Sequence, residues 1–176
     1  MPHLITVLTA SDRDVLHQHF GVLSGSDLRM RFGREPDRDW LRRYVDGIDF
    51  ARDRVLGVRE GATLAGVAHL ALFEGAAELG LSVVPNRRRQ GMATALFDQG
   101  ALIARRHGVV ELFVHCLSEN EAMRRIARRA GMRILIEGVD ADAWIELPPA
   151  TPFPGPTFAV VEPTGRADSG TRPTLA

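Results

Sequence analysis

Val83-Val84-Pro85-Asn86-Arg87-Arg88-Arg89-Gln90-Gly91-Met92-Ala93-Thr94 carries more information than any other stretch of this chain. Two valines close a strand. A short loop of arginines ends in a glycine, and a helix begins at Met92. The first amides of a helix have no intrahelical acceptor, and the helix dipole puts positive potential there. Such an end is a ready anion site. Arginines add forked donors that match phosphate oxygens. A diphosphate is the natural guest.

The flanks place the loop in a β-α-β unit. Met92, Leu96, Gly100 and Ile103, with Ala93, Phe97 and Ala104 beside them, form an apolar stripe at helical period. Gly108 is a helix stop, and Val109 to Cys116 reads as a buried strand. Ala77 to Val83 is the strand before the loop. Neither Gly-x-x-x-x-Gly-Lys-Ser/Thr nor Gly-x-Gly-x-x-Gly occurs here, which argues against a nucleotide P-loop and a dinucleotide fold.

Further out, Leu4 to Leu8 reads as a strand. Ser11 or Asp12 caps a helix through Val22, a short helical piece covers Asp27 to Phe32, and Pro36 to Tyr44 is a third helix. Strands follow at Arg54 to Arg59 and Leu64 to Phe73. After Cys116, Ser118-Glu119-Asn120 opens a helix that Gly131 ends. Arg133 to Glu137 and Ala143 to Leu147 read as a hairpin. The order predicts an α/β (α+β) fold, a mixed sheet with helices on its faces. Seven of the ten prolines lie in Pro148 to Pro173. The expected division is a domain over 1–147 and a Pro-rich tail over 148–176.

Composition bounds the function. The chain has 176 residues, and its 22 Lys plus Arg balance 22 Asp plus Glu. No global field draws it to nucleic acid or to a membrane surface. No apolar run approaches the ~20 residues of a membrane span. The one cysteine, Cys116, excludes an internal disulfide, and reducing cytoplasm is the expected compartment. No convincing ligand set predicts a metal site.

Arg88-x-x-Gly91-x-Ala93 resembles the Arg/Gln-x-x-Gly-x-Gly/Ala signature of the GNAT superfamily of N-acetyltransferases, and Val83-x-Pro85 resembles its strand end. Asn120, Ile126 and Gly131 are similar to a second pattern of that superfamily, which here has Ala127 where tyrosine often stands and Met132 in place of phenylalanine. Leu23-Ser-Gly-Ser26 with Arg31-Phe32, then Asp49, Gly66 and Ala77-Glu78, resembles bacterial protein lysine acetyltransferases more narrowly.

The resemblance implies a GNAT fold, with a mostly antiparallel sheet of about seven strands splayed at the acetyl-CoA site. It implies acetyl-CoA as co-substrate and direct attack by a primary amine in a ternary complex. Arg88, Arg89, Gln90, Gly91, Met92, Ala93 and Thr94 would hold the pyrophosphate. The main chain of Leu81, Ser82 and Val83 would hold the pantetheine arm, with Asn120 beside it. Ala127 leaves no tyrosine general acid at that place.

An ammonium is not nucleophilic, so amine acetylation needs a base. Glu78, on the strand feeding the loop, is the first candidate, and a glutamate at this position serves as base in the lysine acetyltransferases. Strand alternation puts Glu78, Gly80 and Ser82 on one face and Leu79, Leu81 and Val83 on the other. His17 and His19 read as surface residues, and His69 as a packed histidine. Glu35 to Asp49 is the expected acceptor side. A protein lysine is the favoured acceptor. A small amine and a non-catalytic CoA-binding module are the alternatives. The terminal strands and tail offer elements for a homodimer.

Overall fold

The structure is a computed structural model, which describes residues 3–148. The Pro-rich tail therefore lies, from residue 149 on, outside the described residues. Strand β1 (Ile5–Leu8) is followed by helices α1 (Arg13–Gly21), α2 (Gly25–Phe32) and α3 (Arg38–Asp46). Strands β2 (Arg54–Glu60), β3 (Thr63–Leu72) and β4 (Ala76–Val83) lead to α4 (Met92–Arg106). Then come β5 (Glu111–Leu117), α5 (Glu121–Arg129), β6 (Arg133–Glu137) and β7 (Asp140–Glu146). The seven strands form one sheet in the order β1-β2-β3-β4-β5-β7-β6.

Helices α2, α3 and α5 begin where a side chain satisfies a free amide. Asp37 Oδ1 accepts from the Trp40 N–H at 2.7 Å, and Ser24 Oγ accepts from the Asp27 N–H at 3.2 Å. Pro36 precedes the cap of α3, so that helix starts two residues later than its sequence predicts. β7 starts three residues earlier than expected. Asp140 and Asp142 look toward a sheet face that no core cluster covers, while Ala141 and Ala143 point into the core. Acidic residues alternating with alanines read as loop although they form a one-sided strand.

Two cores sandwich the sheet. α4 and α5 cover one face through Leu96, Phe97, Ile103 and Ile126 against Leu56, Leu70, Leu79 and Leu112. α1, α2 and α3 cover part of the other through Leu16, Phe20, Leu28, Leu41 and Val45. Burying each such side chain stabilises the fold by about 1.5–3 kcal/mol. Phe20, Phe32, Trp40 and Tyr44 make a connected aromatic cluster in the second core.

All neighbouring strands run antiparallel except β4 and β5. These two run parallel and pair only from Ala76↔Glu111 to Glu78↔Phe113. β4 stays paired to β3 as far as Val83. Beyond Glu78 the two parallel strands therefore diverge. The backbone groups of β4 on the β5 side are left facing a gap.

Candidate active site

The gap leads into a cleft of about 620 Å³ between β4, α2, the arginine loop and the first turns of α4 and α5. Pro85–Arg87 form a 3-10 turn. Arg89 has φ 61°, the only positive φ at a non-glycine among the described residues, and Gly91 has φ 79°. The left-handed region costs a side-chain-bearing residue about 1–2 kcal/mol, so surrounding contacts must hold Arg89 in it. Gly91 occupies the N-cap of α4 without that penalty, and no side chain caps the helix. The first amides of α4, at Met92, Ala93 and Thr94, have no side-chain acceptor, and the first amide bonded into the helix is that of Ala95, to the Gly91 carbonyl.

Leu81, Ser82, Val83, Arg88, Arg89, Gly91, Met92, Ala93, Thr94 and Asn120 all line the cleft. Gln90 does not; it is exposed, and its carbonyl oxygen meets the His3 ring at 2.8 Å. Arg88 is anchored. Its Nε donates to the Val83 carbonyl at 3.1 Å, and its guanidinium pairs with Asp27 at 2.7 Å. Burial pushes the Asp27 carboxyl upward, but hydrogen bonds from Arg88 and Ser24 outweigh it and hold the group below its ordinary value. Asn120 is committed to structure. Its Oδ1 caps α5 at the Met123 N–H (3.1 Å), and its Nδ2 donates to the Met30 carbonyl (3.2 Å), tying α5 to α2.

Glu78 lies outside this cleft, three residues back along β4 from Leu81, or about 10 Å at strand rise. It is half-buried and sits where the β4–β5 pairing ends. The alternation holds: Leu79, Leu81 and Val83 pack toward α4, and Ser82 points to the α1 side.

The structure also gathers residues that the sequence reading did not single out for the site. Asp53, 3% exposed, accepts from the His69 ring Nε2–H at 3.1 Å. His69 Nδ1 then accepts from the Tyr44 hydroxyl at 2.7 Å, and Arg31 donates to the Tyr44 oxygen at 3.1 Å. Burial raises the Tyr44 phenol. Burial lowers His69 and outweighs the pull of Asp53, with Arg31 lowering it further. The Arg31 guanidinium lies on Gly80, where any Cβ would collide with it.

His19 is not a surface residue. It is 2% exposed, and its ring bridges the Leu64 carbonyl (2.9 Å) and Ser82 Oγ (2.8 Å). The helical period put His19 beside Phe20, but only the packing of α1 on β3 shows which face it takes. Burial first, then the charge of Arg31, holds it below its ordinary value against the Leu64 hydrogen bond. Its neighbour His17 is partly exposed and pairs with Asp46 at 2.9 Å.

Residues 4–133 match the acetyltransferase (GNAT) domain family. The chain belongs to that family. It is therefore an N-acetyltransferase by descent, of a class that draws its acetyl group from acetyl-CoA. No curated protein matches it in sequence. Its fold is similar to that of the GNAT domain of S. lividans PAT: 19% identity, TM-score 0.69, covering 81% of this chain and 89% of that one. It is also similar to a ribosomal-protein-alanine N-acetyltransferase from Brucella melitensis, at 17% identity and TM-score 0.65, covering 82% and 99%. A third relative in fold is the PaiA N-acetyltransferase of Thermoplasma acidophilum in complex with coenzyme A. It shares 19% identity at TM-score 0.59, over 84% and 100%. Among the described residues no group of His, Cys, Asp or Glu could hold a metal ion, and no helix is long and apolar enough to cross a membrane.

Proposed function

We propose that this GNAT acetyltransferase moves an acetyl group from acetyl-CoA to the side-chain amine of a protein lysine, with Glu78 as the base. One observation carries the reading. Glu78 stands at the point where β4 and β5 part, with the anion-binding loop further along the same strand. A donor held by pyrophosphate at Arg88–Thr94 and by main chain at Leu81–Val83 would present its thioester toward Glu78.

Acetyl-CoA supplies an activated acyl carbon. The residues do the rest. The loop and first turn of α4 bind the pyrophosphate without any bulky cap in the way. Glu78 takes the proton that the amine must lose. The amine nitrogen bonds to the acyl carbon, the C–S bond breaks, and the sulfur takes up a proton through water. Ala127 is 1% exposed in the α5 core, so no side chain at that position reaches the sulfur.

The favoured acceptor rests on access. Phe113 lies opposite Glu78 and Trp144 opposite Phe113 one strand further on, on the half-face outside both core clusters, with Phe73 stacked on Phe113 at 6.3 Å. A residue on a macromolecule can reach Glu78 from that side. The fold likeness to S. lividans PAT is consistent with this. The test incubates the full chain with acetyl-CoA and either lysine-bearing proteins or a set of polyamines and other small amines, read by mass spectrometry. Acetyl-lysine is the expected product. Modification of small amines alone would move the assignment to a small-molecule enzyme, and modification of protein N-termini alone to an α-amine enzyme.

A further inference from the structure

Half-buried arginines of this fold find different partners: Arg13 and Arg124, like Arg31, meet no carboxylate among the described residues, but they donate to backbone carbonyls. Arg88, Arg87, Arg29 and Arg129 each pair with a carboxylate. Arg31, half-buried in the cleft wall, pairs with none among the described residues; its side chain donates to a neutral phenol, the Tyr44 hydroxyl. A guanidinium carries five N–H donors, and the Tyr44 oxygen is the one side-chain acceptor Arg31 meets among the described residues, which leaves donors free for an anionic partner. Its seat is built. The guanidinium lies over the Phe32 ring at 4.7 Å to the centroid and against the bare backbone of Gly80.

The hydrogen-bond chain behind it has one direction. Asp53 accepts from His69 Nε2–H, which leaves Nδ1 as an acceptor. Tyr44 gives its proton to Nδ1 and turns an oxygen lone pair to Arg31. Gly80 sits between Glu78 and the Leu81–Val83 main chain, about 7 Å from Glu78 along the strand. That is where an acyl carbonyl lies if the base and the pantetheine contacts are as proposed.

We propose that Arg31 is a catalytic residue that stabilises the negative charge developing on the acetyl carbonyl oxygen, and that Tyr44, His69 and Asp53 are positioning residues that aim it. The inference rests on the acetyl-CoA reading above. As the amine nitrogen bonds to the acyl carbon, the C=O electron pair moves to oxygen. Arg31 meets that charge until the pair returns and the C–S bond breaks, with CoA leaving as thiolate. Loss of one donor at such a charge costs about 10²–10³ in turnover. The groups facing this chain are His19 from α1, Glu78 from β4, and Arg52, which binds Asp53 at 2.8 Å.

The test is spectroscopic and needs no acceptor. The full chain is saturated with acetyl-CoA labelled with carbon-13 at the carbonyl, and calorimetry measures affinity in parallel. In the wild type the bound carbonyl carbon should resonate downfield of free acetyl-CoA, because a cation polarises the bond. Arg31→Gln should return it to the free position while affinity stays within about 3-fold, since the contact strengthens only as charge develops. Arg31→Lys should keep part of the shift, and Tyr44→Phe should reduce it. Circular dichroism checks folding, and the lysine variant serves if the glutamine variant does not fold. A shift that survives Arg31→Gln, or a wild-type complex without one, overturns the proposal and leaves the acetyl-CoA reading intact. Failure of the wild type to bind acetyl-CoA overturns that reading and this inference with it.

Discussion

At the level of single residues, Glu78 matters because of its register. It is the last β4 residue paired to β5, and it lies on a half-face outside both core clusters. Glu78→Gln keeps the shape and removes the carboxylate proposed as base. Turnover should fall about 10²-fold or more, with acetyl-CoA affinity unchanged by calorimetry. Unchanged turnover would take Glu78 out of the mechanism. His19 and His69 make a separate prediction about pH. Burial is the first cause for both, and both are held below their ordinary 6.5. The unfolded chain therefore binds these protons at a higher pH than the folded one. Their stabilisation is full above 6.5 and is lost as pH falls toward their folded values. Melting temperature should drop between about pH 7 and 5, and His19→Gln should flatten that slope. An unchanged slope would mean that His19 does not titrate differently on folding.

At the level of elements, the arginine loop was readable because its chemistry is local. A strand end, a glycine and an uncapped helix start follow from neighbouring residues and dipoles. Gly91 holds φ 79°, so Gly91→Ala should cost about 1–2 kcal/mol in denaturant unfolding. It should also weaken acetyl-CoA binding, because the first amides of α4 would be re-aimed. Asn120 joins two elements. Asn120→Ala loses the α5 cap, worth about 1 kcal/mol, and also the tie to Met30. Stability and acetyl-CoA affinity should fall together, whereas a plain cap would lower stability alone. The start of β7 was not readable, because its alternation sets acids against alanines on a sheet with one open face.

At the level of the whole molecule, the parting of β4 from β5 is the feature that makes a site. Amides of residues 79–83 on the β5 side have no strand beside them. Hydrogen exchange over this segment should slow when acetyl-CoA is added, and a segment that stays equally fast would argue against main-chain contact with the donor. At a hundredfold excess over its dissociation constant, acetyl-CoA should add about 2.7 kcal/mol to stability. The strand and helix order, the loop with its glycine before α4 and the strand face that Glu78 takes were legible in the chain, because periodicity, glycines and caps act over a few residues. The narrow meeting of Arg31, Tyr44, Asp53 and His69 was not. These four come from α2, α3, the loop before β2, and β3, and no local pattern links them. The packing of helices on the sheet brings them together, and the same packing buries His19. Burial, tautomer direction and the partner that Arg31 meets are properties of that assembled environment rather than of residue type.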